Sequence, residues 1–212
     1  MANVGSEDGT KDRIRRIAAE LFAKNGYHAT GVAELSSAVE LGRGALYYHI
    51  GNKETLLFEI SRVPVERLNA QTQEIVRSSQ SPFDKFNALG DKLLENIVNH
   101  RAEWTVFFRE FYALTGERKK KIMVARERYE GFWRTVIAEG VEDGVFKPVD
   151  HILLKGLLGM FNYSYLWFDP DGELTAVEVA RKFTETLLNG IRCGVNATRE
   201  AGTNCGNLAL LH

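Results

Sequence analysis

Apolar residues recur along this chain at steps of three and four, the period of helices buried along one face. Ile14, Ile17, Ala18, Leu21 and Phe22 form the first such face, and Asn25-Gly26 ends it at a residue type that accepts positive φ. Thr10 is placed to cap this helix, with Asp12 in its first turn. Two short helices follow, one from about Val32 to Val39 with Thr30 as N-cap, one from about Gly42 to His49. Asn52 is positioned to cap a fourth, with Glu54 near its positive end, and Pro64 is expected to bend or interrupt it. The later helices are longer. Ser81-Pro82-Phe83-Asp84 opens one that runs to about Asn99, and the next covers about Ala102 to Leu114. After Gly116 a long amphipathic helix extends to near Gly140. Asp150 opens a very apolar helix to about Phe168, and Thr175 with Glu178 forms a capping box for a last helix ending near Gly194. Strand signals are scarce, so the pattern predicts an all-α protein.

Composition narrows the class only a little. A hydrophobic content of 44% in 212 residues supports a sizeable core. No run approaches the roughly 20 apolar residues of a membrane span, and the N-terminus lacks the apolar stretch of a signal peptide. Cys193 and Cys205 make no metal-ligand spacing with each other or with a histidine pair, which reads as a protein of the reducing cytoplasm. The net charge of −1 gives no sign of nucleic acid, and over residues 1–62 eight Lys/Arg balance eight Asp/Glu. A DNA-binding reading therefore rests on placed residues rather than on a basic field.

Three short helices within the first 50 residues, with a tight turn between the second and third, are what a helix-turn-helix needs. Leu35, Ala38, Leu41 and Leu46 supply its buried side. The third helix is left with Arg43, Ala45, Tyr47, Tyr48 and His49 facing outward. Arg reads guanine O6 and N7, Ala packs on a thymine methyl, and tyrosines donate to phosphate. Thr30 and Lys53, at the starts of the second and fourth helices, add backbone N–H groups and a cation where phosphates would lie.

These residues resemble a known family. Phe22 to Thr30, then Gly44-Ala45-Leu46-Tyr47-Tyr48-His49, then Asn52-Lys53-Glu54-Thr55-Leu56-Leu57 look like the DNA-binding domain of the TetR family over roughly residues 10 to 60. The resemblance implies that the third helix is the recognition helix. Arg43, Ala45, Tyr47, Tyr48 and His49 match contacting positions, and Thr30 and Lys53 match phosphate-contacting ones. The chain departs from the family habit at four places. Glu40 stands for the turn glycine and is expected at positive φ, Gly42 for the Ser cap, Ala45 for the commoner Thr, and Gly51 for a proline. The implied organisation is a helix-turn-helix domain over 1–55, a helical effector-binding and dimerisation domain over 56–195, and a disordered tail over 196–212.

The remaining helices are rich in rings. Trp104, Phe107, Phe108, Phe111 and Tyr112 form one group, Tyr129, Phe132 and Trp133 a second, and Phe161 and Tyr165 belong to a third. Each ring is either core packing or the wall of an apolar cavity between helices, and spacing does not choose. Arg109 and Arg126, on or near these helices, are either solvated surface charges or receivers of an anionic group of a ligand. The helix from Ile152 to Phe168 is apolar on nearly every side and carries Gly156 and Gly159. By the resemblance it pairs with the last helix as a homodimer interface, for a repressor on a palindromic operator released by a small hydrophobic effector. The fourth helix is the expected lever. His100 to Glu110 and Trp167 to Thr175 look similar to TetR-type regulators of fatty-acid and sterol catabolism, which makes an acyl-CoA one expected effector. Aromatic hydrocarbons and drug-like compounds stay open.

The competing class is a helical enzyme or small-molecule carrier. The chain has no HExxH, no paired ExxH, no G-x-S-x-G and no P-loop, and Gly42-Arg43-Gly44 lacks the third glycine of a dinucleotide fingerprint. Its five histidines, His28, His49, His100, His151 and His212, share no ligand spacing. No catalysis, metal or cofactor is expected.

Overall fold

A computed structural model describes the backbone of residues 4–191 and the side chains of residues 9–189. Among the described residues the chain forms nine α-helices and no β-strand. They are α1 (Val4–Asn25), α2 (Val32–Ala38), α3 (Arg43–Ile50), α4 (Lys53–Arg77), α5 (Pro82–Asn99), α6 (Arg101–Glu110), α7 (Gly116–Glu142), α8 (His151–Trp167) and α9 (Ala176–Ile191). No helix among them is long and apolar enough to cross a membrane. The end of the last helix near Gly194, Cys193, Cys205 and the tail over 196–212 lie outside the described residues.

Most start and stop signals act as expected. The side chains of Asn52, Ser81 and Asp150 accept from the backbone N–H groups of Thr55, Asp84 and Leu153 at 2.8, 3.2 and 2.8 Å. Thr175 and Glu178 make the capping box, with Thr175 N–H donating to Glu178 at 2.7 Å and Glu178 N–H to Thr175 Oγ1 at 3.3 Å. Glu40 does take positive φ (56°) between α2 and α3, where Leu41 N–H reaches Ser36 O at 3.0 Å.

Four expectations need correction. Thr10 caps nothing, because α1 already runs through it from Val4. Gly31, not Thr30, is the N-cap of α2. Ala38 is exposed and Val39 takes its place in the core beside Leu35, because the helical i→i−4 bond from Val39 N–H to Leu35 O (3.0 Å) keeps Val39 on the face of Leu35. Pro64 does not interrupt α4. Its missing N–H removes one bond, but α1, α3, α5, α6 and α7 all pack against this helix and hold it through that point.

α4 therefore belongs to both parts of the molecule, and the expected division at residue 55 falls inside it. Its start buries Leu56, Leu57 and Ile60 beside Ile14, Ala18, Phe22, Leu35 and Leu46 of the first three helices. Its second half enters a core in which Phe86 meets Trp133 edge-on at 5.3 Å and Phe146 at 5.7 Å. α5 is the central pillar against which α8 and α9 lie. Gly90 makes this possible, because a Cβ there would stand 2.7 Å from Thr184 Cγ2 and 3.0 Å from Phe161 Cζ, both buried. Gly90→Ala is expected to cost about 1–3 kcal/mol in urea unfolding. Gly131→Ala on α7, where the nearest heavy atom is the end of the Arg134 side chain at 3.7 Å, is expected to gain up to about 1 kcal/mol.

Candidate nucleic-acid interface and effector cavity

α3 is held by Leu46 and Ile50, both buried, so the opposite side of its two turns is fixed outward. Ala45 and Tyr48 stand there, Tyr48 with 74% exposure, and Tyr47 on the flank and Arg43 at the N-terminal end are exposed as well. An aromatic on a folded helix at that exposure is not core. The turn that aims α3 is tied to α1 by Arg13, whose guanidinium donates to Val39 O at 2.9 Å. No local pattern in the sequence singles out Arg13.

The other three predicted contacts are placed differently. Thr30 is fully buried and its hydroxyl donates to Gly26 O at 2.9 Å, so it locks the α1–α2 turn. His49 is half-buried, with Nδ1 enclosed and without a hydrogen-bond partner, and borders a groove shared with Lys11, Arg15, Glu59 and Arg62. Lys53 Nζ lies over the Tyr27 ring at 4.5 Å, and burial lowers its pKa against the opposing pull of Glu110.

A buried charge cluster joins this head to the rest. The Glu103 carboxylate on α6 is almost fully enclosed and pairs with Arg15 of α1, with Arg67 of α4 at 3.4 Å, and sits 3.9 Å from His100 Nδ1. Burial, reinforced by Arg67 and then Arg15 against the pull of Glu103, holds His100 below the ordinary imidazole value, so it is neutral at pH 7. Two turns along the same helix, Glu110 accepts from Tyr27 N–H at 3.1 Å. Between these two carboxylates α6 carries Trp104, Phe107 and Phe108.

Those three rings form one wall of a cavity of about 250 Å³ enclosed by α4, α5, α6, α7 and α8. Tyr129 and Arg126 of α7 also line it. The other predicted rings do not. Trp133 and Phe161 are fully buried core, 6.0 Å apart between ring centres, and Phe111 packs beneath the single 3-10 turn after α6. Tyr112 is 76% exposed, and Phe132 is half-buried under Arg128. Tyr165 stacks on the far side of Phe108 at 5.0 Å, where Arg109 also lies, in an open groove instead of the cavity. Val65, Leu68, Leu93, Leu158 and Asn162 complete the lining. Their aliphatic members look in sequence like any core position.

α8 buries Leu154, Leu157, Leu158 and Phe161 against the body and leaves a second apolar side uncovered. Ile152, Leu153, Tyr163, Leu166 and Trp167 are exposed, and a Cβ at Gly156 or Gly159 would meet nothing within 4 Å.

Known proteins share this arrangement. Residues 14–60 match the model of bacterial regulatory proteins of the tetR family, and residues 79–191 match that of tetracyclin repressor-like C-terminal domains. The HTH-type transcriptional repressor KstR2 of Mycobacterium tuberculosis is 27% identical over 191 residues, covering 88% of this chain and 95% of the relative. The TetR family regulator PfmR of Thermus thermophilus superposes with a TM-score of 0.79 at 33% identity, over 84% of this chain and 98% of that one. AibR, solved in complex with isovaleryl coenzyme A and operator DNA, has a TM-score of 0.74 at 26% identity, over 86% of this chain and 98% of that one. The three-helix head and the helical body each match their own part of one family, and the chain belongs to the TetR family of bacterial transcriptional regulators.

Proposed function

We propose that the protein is a homodimeric repressor that holds a palindromic operator through α3 and releases it when a small hydrophobic effector enters the cavity. One observation carries the reading: Arg43, Ala45, Tyr47 and Tyr48 are all exposed on a helix held by Leu46 and Ile50, with Ala45 and Tyr48 on the side opposite them and Arg43 at its N-terminal end. Arg43 is assigned to a guanine edge, Ala45 to a thymine methyl, and the tyrosines to phosphate oxygens. Lys53 adds a cation at the start of α4. Thr30 and His49 support the head from within.

The uncovered side of α8, continued onto Val177 of α9, is the surface for a second copy. A twofold axis there sets two recognition helices on successive major-groove faces. AibR's complex with isovaleryl coenzyme A supports acyl compounds as one class of effector for this cavity. α6 is the part best placed to act with α4 as the lever, because its rings wall the cavity while Glu103 and Glu110 grip the head. An effector must favour the DNA-incompetent arrangement to shift the population.

Three outcomes are expected. Arg43→Ala with Tyr48→Ala weakens binding to the protein's own upstream region, in a gel shift, by about 2–4 kcal/mol; unchanged binding would place recognition elsewhere. Light scattering at micromolar concentration gives twice the 23.9 kDa chain mass; a monomer sinks the interface. Glu103→Ala, which strands Arg15, costs about 3–5 kcal/mol of stability in urea, and Arg15→Met with Glu103→Leu recovers most of that loss.

A further inference from the structure

The cavity combines two polar features that its apolar walls do not explain. The first is an orphaned donor. Tyr129 lines the cavity and is only 8% exposed, and its hydroxyl proton has no acceptor among the described residues. Burial pushes the phenol pKa up, so the group stays a donor at any physiological pH. The indole N–H of Trp133, which opposes that shift, is itself only a donor and offers the phenol proton no acceptor. A dry hydroxyl without an acceptor is costly, and a ligand oxygen would relieve that cost.

The second feature is the charge balance of the lining. Glu130 is the cavity's only carboxylate, and two cations already compensate it, Lys155 at 3.4 Å and Arg134 at 3.9 Å. Arg126 also lines the cavity and has no carboxylate partner among the described residues. Its guanidinium is held against the rings of Phe107 and Phe111, each centroid 5.8 Å away. Residues 126, 129 and 130 sit three and four apart on α7, so they share one face of that helix. With Lys155 set against Glu130, Arg126 leaves the lining one positive charge in excess. A cationic occupant would meet that excess and a carboxylate that is already paired.

We infer that the effector is a compact organic monoanion, an apolar body bearing a carboxylate whose oxygens accept from Tyr129 Oη and pair with Arg126. The body lies against Trp104, Phe107, Leu68, Leu93 and Leu158. This rests on the effector reading proposed above and specifies its chemistry.

The test uses the full-length protein and matched probes: hexanoate, octanoate and decanoate, with the alcohols and amines of the same lengths and octanoyl-CoA. Binding is read from tryptophan fluorescence, to which Trp104 on the cavity wall contributes, and by calorimetry. At least one carboxylate is expected to bind tenfold or more tighter than its alcohol, with no binding of the amine. Tyr129→Phe is expected to weaken that carboxylate about tenfold, and Arg126→Gln about tenfold or more. Without ligand, Tyr129→Phe melts no lower than wild type, because it removes only an unpaired hydroxyl, so a loss of affinity is not a loss of fold. Equal binding of alcohols or amines overturns the inference and leaves the cavity an effector site. So does octanoyl-CoA binding that is tighter than octanoate and indifferent to Arg126→Gln. Absence of binding by every probe overturns the inference.

Discussion

The arrangement of this molecule depends on a carboxylate taken out of water. Glu103 is enclosed where α1, α4 and α6 meet, and an isolated buried charge would cost several kcal/mol. Arg15 from the head and Arg67 from the linking helix make it tolerable. Neutral His100 beside them adds no third cation. The pair is a weak source of net stability but a strong constraint on geometry, because a shift that separates Arg15 from Glu103 exposes the full desolvation cost. The position of α1, and with it the aim of the recognition helix, is thus set by a residue on the wall helix of the cavity.

That joint was not legible in the sequence. Arg15 and Glu103 are 88 positions apart, and either alone reads as solvated helix surface. Local signals were legible instead. Side-chain caps at Asn52, Ser81, Asp150 and Thr175 depend on contacts within three residues, and all four form. Thr10 and Thr30 carried the same kind of signal and failed, because α1 continues upstream of Thr10 and α2 starts one residue later, with Gly31 as its N-cap, while the Thr30 hydroxyl donates back to Gly26 O. The outward face of α3 was readable because helical period opposes Ala45 and Tyr48 to Leu46 and Ile50, while Arg43 is exposed as the first residue of the helix. The cavity was readable only in part. Helical spacing alone does not tell a ring packed against another ring, as for Trp133 and Phe161, from one that walls a space, as for Trp104 and Phe107, or from an exposed one, as for Tyr112.

The even charge of the head has a consequence for how DNA is held. A domain with a large basic excess gains affinity from counterion release wherever it lands. Here eight Lys/Arg balance eight Asp/Glu over residues 1–62, and several of the cations are engaged internally. Arg13 is committed to Val39 O, Arg15 to Glu103 and Asp12, and Lys53 to the ring of Tyr27. Affinity then has to come from placed contacts and from the joining of two heads. In the proposed dimer the uncovered side of α8 has a role beyond assembly, since a second copy doubles the few contacts each head can make.

The same energies limit how the cavity can speak to the head. Coupling free energies between sites are typically about 1–3 kcal/mol. Separating Arg15 from Glu103 would cost more than that, as would stripping Tyr27 N–H from Glu110 at the same time. A bound effector therefore cannot work by pulling α6 away from α1. It can work by moving the two together, with Glu103 and Glu110 as grips and α4 as the hinge that follows through Arg67. In that motion the buried ion pair is preserved, and what changes is the angle of α3 relative to the axis of the proposed dimer. The clasp that makes the head rigid is the reason a small displacement of Trp104 and Phe107 can reach it.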